Sequence, residues 1–215
     1  MKNQLELLSQ KTPICKVCFR PFEQTTYHGF LYKNQTICHD CFLSLKPALN
    51  EFQIEGIKCL NLYYYTDKIQ ELLYQFKGCK DYELKTIFLE YYKNYLNYKF
   101  KRYIIIPAPS FIKNDQDRGF NHVVEMYSVL GLKIEQIIHK TKQVKQADLT
   151  SEERKKIGEV LVIDNVDLTS KRILIVDDVF TTGSTIRSMI KLVKSKNPKD
   201  IKVLIMAKTI DLDKR

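Results

Sequence analysis

The sequence predicts an α/β fold in which a mostly parallel sheet follows a small N-terminal module that binds a metal ion. Short apolar runs rich in β-branched residues, such as residues 173–176, are typical of strands buried on both faces. Such runs alternate with helical stripes from about residue 58 onward, which predicts a five-stranded sheet flanked by helices. Two paired cysteine motifs set residues 1–57 apart as a zinc-ribbon module and linker, and residues 58–215 form the main domain.

The composition is that of a globular protein with an excess of positive charge. Of its 215 residues, 44% are hydrophobic and 28% are charged. The 35 basic and 25 acidic residues give a net charge of +10, which favours anionic partners such as nucleic acid or phosphorylated substrates. The abundance of Lys, Asn and Ile is equally typical of an AT-rich genome, so charge alone does not decide the partner. No apolar run suits a signal peptide or a membrane span, and a cytoplasmic protein without membrane insertion is expected.

The N-terminal module contains two C-x-x-C pairs, Cys15/Cys18 and Cys38/Cys41, separated by 19 residues. Each pair places two thiolates on one tight turn, and the spacing predicts a structural four-cysteine zinc site. Disulfides are the weaker interpretation for a chain without a secretory signal. His28 and His39 are alternative ligands, but four cysteines already complete a tetrahedron.

The next segments predict a linker, a strand and two helices. The linker contains a short helix and Pro47, and it ends near residue 57. A strand is expected at residues 60–65 and a helix over residues 69–76. Residues 82–100 predict a second helix, and basic side chains alternate with aromatic ones over residues 91–102. This stretch is either a stacking surface for single-stranded bases or an amphipathic helix with its aromatics in the core.

A buried strand at residues 103–106 leads into a loop stiffened by proline. The loop residues are Pro107, Ala108, Pro109 and Ser110. Ligands of open α/β sheets bind at the carboxyl ends of strands, so this loop is expected to face a ligand. Arg118 suits either a pyrophosphate group or a surface cap. Further strands are expected at residues 134–139, 160–163 and 201–208, and the lysine-rich run 140–156 predicts a mobile lid.

The stretch 173–185 carries the strongest chemical signal. Two acids, Asp177 and Asp178, follow the apolar part of a strand, and a loop rich in hydroxyl groups leads into a helix. The loop consists of Thr181, Thr182, Gly183, Ser184 and Thr185. A glycine turn at a helix N-terminus predicts a phosphate site, and neighbouring acids suit the hydroxyls of a sugar, directly or through a metal ion.

Other motifs fit this stretch less well. A Walker A loop needs a lysine after its last glycine, and a dinucleotide fingerprint needs G-x-G-x-x-G. A receiver domain carries its acid pair after its first strand, whereas only 37 residues follow Asp178. An ordinary strand, turn and helix remains the alternative without function.

Residues 176–185 resemble the phosphoribosyl pyrophosphate (PRPP) signature of type I phosphoribosyltransferases. With the four cysteines, the 77–81 turn, Pro107, Pro109 and the 118–121 Arg-Gly-Phe-Asn element, the chain resembles the ComF-type competence family. The resemblance implies that Asp177 and Asp178 hold the ribose hydroxyls and act as the catalytic residues of an active enzyme. It further implies that loop 181–185 holds the 5′-phosphate, while loop 107–110 and Arg118 face pyrophosphate with Mg²⁺. Ile157 stands at a position where the family is expected to have Asn. The contacts that the lid makes in the family therefore do not carry over to this chain in detail.

The resemblance also implies a role in natural transformation. A ComF-like protein would bind PRPP and handle single-stranded DNA in the cytoplasm, together with other competence proteins such as a DNA-uptake helicase. Association with the membrane would then occur through the DNA-uptake machinery. The alternative is a catalytically active phosphoribosyltransferase that acts on an unidentified acceptor.

Overall fold

The computed structural model describes residues 12–22, 36–142 and 159–209. The α-helices are α1 (His39–Ser44), α2 (Asp67–Lys77), α3 (Lys93–Phe100), α4 (Ile112–Arg118), α5 (His122–Ser128) and α6 (Ser184–Lys194), and two 3₁₀ helices span Tyr82–Thr86 and Glu90–Tyr92. The strands are β1 (Pro47–Ile54), β2 (Ile57–Tyr64), β3 (Tyr103–Pro107), β4 (Ile138–Lys142), β5 (Glu159–Ile163), β6 (Arg172–Phe180) and β7 (Asp200–Lys208).

Five of the strands form one mixed sheet in the order β1-β2-β7-β6-β3. The pairs β2–β7, β7–β6 and β6–β3 are parallel, and β1 pairs antiparallel with β2. Strands β4 and β5 form a separate antiparallel hairpin. The predicted α/β class with a mostly parallel sheet is therefore confirmed.

The apolar residues of β6 supply both faces of the core. Leu174 and Val176 belong to a cluster that also contains residues of α2, α5 and the N-terminal module. Ile173 and Ile175 belong to a second cluster that contains the apolar stripe of α6. Alternate residues of a strand point to opposite faces of the sheet, so a run of four buried residues requires cover on both sides.

The composition of the sheet differs from the sequence prediction. Residues 47–54, expected in a linker, form the antiparallel edge strand β1. Proline is tolerated at the first position of such a strand, because an edge strand leaves part of its backbone unpaired. The expected strands at 134–139 and 160–163 instead contribute to the hairpin, and only Ile134 bridges to Ile105 of the main sheet. The expected boundary between residues 57 and 58 stays a prediction.

The stretch 82–100 is not one continuous helix. It consists of the two 3₁₀ helices followed by α3. Tyr91, Leu96 and Phe100 are buried in the core, whereas Tyr95 and Tyr98 are exposed. The aromatic side chains of this stretch are thus divided between the core and the surface, and a role in stacking single-stranded bases stays a prediction.

The N-terminal module shares its apolar core with the main domain. The ring of Phe42 stacks on Tyr91 with 3.5 Å between centroids, and Leu45 is fully buried in the same cluster. Lys16 Nζ also forms an ion pair with Glu83 at 2.8 Å. These contacts fix the module against the 3₁₀ helices.

Within the described ranges, no helix is both long enough and apolar enough to cross a membrane.

Tyr127→Phe should destabilise the fold by about 1–2 kcal/mol, because a buried hydroxyl that serves two backbone carbonyls is lost. The Tyr127 hydroxyl lies 2.9 Å from the carbonyl oxygen of Asp177 and 3.1 Å from that of Leu204. It thereby ties α5 to β6 and β7. Urea unfolding measures the loss. Tyr98→Phe is the matched control, because Tyr98 is 80% exposed, and equal stability of the two variants would contradict this role.

Candidate functional site

A cleft of about 360 Å³ opens where β3 and β6 present their carboxyl ends. Parallel neighbours end at the same edge of the sheet, which brings the loop after β3 beside the acids of β6. Its lining comes from α2, the loop after β3, α4, α5, β4, β6 and α6: Lys77, Ala108, Pro109, Ser110, Phe111, Asn114, Arg118, His122, Val123, Lys140, Asp177, Asp178 and Thr185.

Asp178 is a buried carboxylate with hydrogen-bond partners on both oxygens. Its Oδ2 accepts from Lys77 Nζ at 2.6 Å and lies 3.1 Å from His122 Nε2. Its Oδ1 accepts from the amide of Val179 at 2.7 Å. Burial by itself would raise the pKa of Asp178, but the His122 hydrogen bond and the Lys77 charge outweigh it and hold the pKa well below its usual range. Asp178 is therefore ionised.

Asp177 has the opposite electrostatic environment. Burial, reinforced by the neighbouring charge of Asp178, raises the pKa of Asp177 well above its usual value. Its Oδ1 accepts from the amide of Asp178 at 2.9 Å. Two adjacent carboxyls in one buried site repel each other when both are charged, and this repulsion separates their pKa values.

The imidazole of His122 links Arg118 to Asp178. Arg118 Nη1 lies 2.9 Å from His122 Nδ1, and a guanidinium can only donate hydrogen bonds. His122 Nδ1 is therefore the acceptor, which places the ring proton on Nε2, where it is donated to Asp178. Arg118 Nε also donates to the carbonyl of Lys77 at 2.9 Å, one of the carbonyls left without a partner at the end of α2.

A second polar network holds the loop after β3. Ser110 Oγ donates to the carboxylate of Asp115. Asn121 Nδ2 donates to Ser110 Oγ at 3.1 Å and to Asp115 Oδ2 at 3.0 Å. Asn121 Oδ1 meanwhile accepts from two amides at the start of α5, where Asn121 is the N-cap residue. One side chain thus positions both the loop and the helix that carries His122.

The loop 181–185 turns sharply into the N-terminus of α6. Gly183 is the N-cap of this helix with φ of 74°, and a Cβ there would lie 2.4 Å from the ring of Phe180. Arg187 Nη1 donates to the carbonyl of Thr182 at 2.6 Å, which fixes the turn from the helix side. The first amides of a helix have no partner within it, so this turn can bind an anion.

The structure gathers most of the site residues indicated by the sequence. Seven of them line the cleft: Ala108, Pro109, Ser110, Arg118, Asp177, Asp178 and Thr185. Pro107 is the buried end of β3, and Thr181, Thr182 and Ser184 lie exposed on loop 181–185. Of the expected lid, Lys140 lines the cleft, and residues 143–158 lie outside the described residues.

The sequence assigns no role to the two side chains that contact the carboxylate of Asp178, Lys77 and His122. Each belongs to a segment that the sequence singled out, the 77–81 turn and the helix after Arg118. A lysine at the end of a helix and a histidine at the start of one are ordinary features. Only the packing of α2 and α5 against β6 brings them to Asp178.

The four cysteines form a compact cluster. Their sulfur atoms all lie within 4.8 Å of one another, and Cys18 Sγ is 3.9 Å from Cys38 Sγ. A tetrahedral zinc ion with bonds of about 2.3 Å separates its sulfur ligands by about 3.8 Å, so the cluster fits such an ion. His39 Nδ1 lies instead 3.2 Å from the hydroxyl of Tyr91, and His28 lies outside the described residues.

The surroundings of Cys15 favour its thiolate form. Its sulfur accepts from the amides of Val17 at 3.4 Å and Cys38 at 3.3 Å. Burial raises the pKa of the thiol, but the backbone hydrogen bonds outweigh this and bring the pKa of Cys15 to about 7. A deprotonated sulfur is the form that coordinates a metal ion.

Comparisons with known proteins show what this chain is similar to. Residues 118–214 match the family model of the phosphoribosyl transferase domain. The chain is 24% identical over 173 residues to competence protein ComFC of Streptococcus pneumoniae, covering 80% of this chain and 76% of that protein. It is 45% identical over 49 residues to hypoxanthine-guanine phosphoribosyltransferase of Sus scrofa, which covers 21% of this chain and 22% of that enzyme. A crystal structure of adenine phosphoribosyltransferase aligns with a TM-score of 0.45 and 18% identity, covering 80% and 90% of the two chains.

The four-cysteine cluster should hold one zinc ion, and Cys38→Ser should lower the metal content and expose residues 13–45 to protease. A segment this short buries too little apolar surface to fold firmly without its metal. Zinc per chain by atomic absorption, together with limited proteolysis, measures both effects. Cys79→Ser is the matched control, because Cys79 is exposed and lies outside the cluster. Full zinc occupancy in Cys38→Ser would overturn the assignment.

Proposed function

We propose that this protein binds PRPP in the cleft and takes part in DNA uptake, where it handles single-stranded DNA. The proposal is supported by the match to the phosphoribosyl transferase domain and by the similarity to competence protein ComFC. One observation carries the PRPP proposal. The acid pair of β6 faces a cleft at the carboxyl end of the sheet, and the strand leads directly through loop 181–185 into the N-terminus of α6.

The three parts of PRPP match three parts of this site. The 5′-phosphate would bind the amides and hydroxyls of loop 181–185. The ribose hydroxyls would donate to the carboxyl oxygens of Asp177 and Asp178, of which Asp178 is the charged acceptor. The diphosphate would extend toward loop 107–110, where the cationic side chains of Lys77, Arg118 and Lys140 also line the cleft.

In a transfer reaction these residues would bind and orient PRPP, and they would not exchange protons with it. Positive side chains near the diphosphate would stabilise the charge that develops as pyrophosphate leaves. Mg²⁺ bound to PRPP would add further neutralisation of the leaving group. Both ring nitrogens of His122 are already engaged, so this histidine positions Asp178 and is not a poised base.

A catalytically active transferase with an unidentified acceptor is the second candidate. The retained acid pair favours it, because PRPP would bind in the orientation that transfer requires. Release of pyrophosphate in the presence of candidate acceptors distinguishes this enzyme from a protein that only binds PRPP.

The surface at the end of α3 supports the proposed DNA binding. Tyr98 is 80% exposed, and Lys101 Nζ lies 5.9 Å from its ring centroid. The adjoining Arg102 is exposed as well. An open aromatic face beside cationic groups suits base stacking together with phosphate contacts. Lys99 is less available, because it pairs with Glu51 at 2.5 Å.

The double variant Asp177→Asn, Asp178→Asn should lose most of its PRPP affinity. Hydrogen bonds to charged groups are worth about 1.5–3 kcal/mol each, which corresponds to about a tenfold to hundredfold loss per bond. Calorimetric titration with PRPP and Mg²⁺ measures it, and circular dichroism checks the fold. Ser184→Ala is the comparison variant and should weaken binding only modestly, because backbone amides carry most of the phosphate contact. Equal affinity of wild type and double variant would reject the site.

Single-stranded DNA should bind with a strong dependence on salt and little preference for sequence, because phosphate contacts release counterions and stacking tolerates every base. Fluorescence anisotropy at several salt concentrations measures this. Tyr98→Ala and Lys101→Ala should each weaken binding, and only the lysine variant should reduce the salt slope. Tyr74→Ala removes another exposed aromatic, on α2, and serves as control. An affinity independent of salt, or one unchanged in both test variants, would contradict the proposal.

A further inference from the structure

Lys77 places an ammonium group inside the candidate site. It is the last residue of α2, and its Nζ lies 2.6 Å from Asp178 Oδ2. Its side chain is 33% exposed, so the charge is partly removed from water. Arg118 holds the backbone carbonyl of the same residue. Lys77 is therefore held at its ammonium group by Asp178 and at its backbone carbonyl by Arg118.

The ammonium completes the coordination of Asp178. With the Val179 amide on Oδ1 and both Lys77 and His122 on Oδ2, three of the roughly four acceptor positions of this carboxylate are used. A magnesium-like cation binds carboxylate oxygens directly, at about 2.0–2.1 Å. Such a cation would have to displace Lys77 from Oδ2 or lie next to a like charge.

We propose that Lys77 is the built-in counter-ion of the acid pair and determines the cation requirement of the site. Its ammonium takes the place of a divalent cation at Asp178 and keeps such cations off the two carboxyls. A metal ion would then enter only on the diphosphate of the ligand. The identity of that ligand rests on the proposed function, whereas the exclusion of metal from the acid pair does not.

Removing the charge should convert the acid pair into a metal site. Lys77→Met keeps a similar apolar stem but leaves Asp178 Oδ2 with one partner, His122. Asp177 and Asp178 then offer hard oxygen ligands in one partly buried place. Lys77→Arg preserves the positive charge and should continue to exclude metal.

Titration with Mn²⁺ alone tests this on the full-length, zinc-loaded protein, with free Mn²⁺ followed by electron paramagnetic resonance. Lys77→Met should gain one site that binds Mn²⁺ at least about tenfold more tightly than wild type or Lys77→Arg. Adding Asp178→Asn to Lys77→Met should abolish the new site, which locates it. Circular dichroism confirms that each variant folds. Equally tight binding by wild type, or no gain in folded Lys77→Met, would overturn the proposal.

A second measurement separates this inference from the proposed function. PRPP binding by Lys77→Met should depend more strongly on Mg²⁺ than binding by wild type. Relative to wild type, the variant should lose about tenfold in affinity in EDTA and recover part of this loss in Mg²⁺. Equal dependence on Mg²⁺ in both proteins would overturn the role of Lys77. If wild type bound no PRPP under either condition, the proposed function would fail, and the Mn²⁺ result would decide the role of Lys77 by itself.

Discussion

The ionised carboxylate of Asp178 is the constraint on which the candidate site depends. A buried charge is tolerated only when it is paired and hydrogen-bonded, and removing one partner of such a pair costs about 3–5 kcal/mol. Here the partners come from three elements: Lys77 at the end of α2, His122 at the start of α5 and the amide of Val179 within β6. Satisfying one carboxylate therefore positions two helices against the central strand.

Arg118 and Asn121 do not contact the two acids, but they hold the residues and loops that surround them. Arg118 fixes the tautomer of His122 and the last turn of α2. Asn121 caps α5 and holds Ser110 in the loop after β3. The Arg-Gly-Phe-Asn element is thus a structural connection between the two sides of the cleft. A role of Arg118 in binding pyrophosphate stays a prediction. Its hydrogen bonds show that it also positions His122 and Lys77.

The four-cysteine cluster follows a similar principle in the N-terminal part of the chain. Each cysteine pair makes a local turn, but the two pairs must meet for four sulfurs to lie within 4.8 Å. The main domain supports that arrangement, since Phe42 and Leu45 of the module pack into the same core as Tyr91. Metal coordination and apolar burial would therefore stabilise the N-terminal module together, and the module does not need to fold alone.

The sequence by itself determined the fold class, the central strand and the chemical character of both sites. Those signals are local: the apolar run at residues 173–176, the acids directly after it, the Gly183 turn and the cysteine spacing. Edge strand β1, the β4–β5 hairpin and the division of residues 82–100 into three helices were decided by the tertiary structure. So were the positions of Lys77 and His122, which lie 101 and 56 residues before Asp178 in the chain. The physical reason is that strand pairing and the partners of a buried charge are long-range contacts, which local periodicity and motif spacing do not encode.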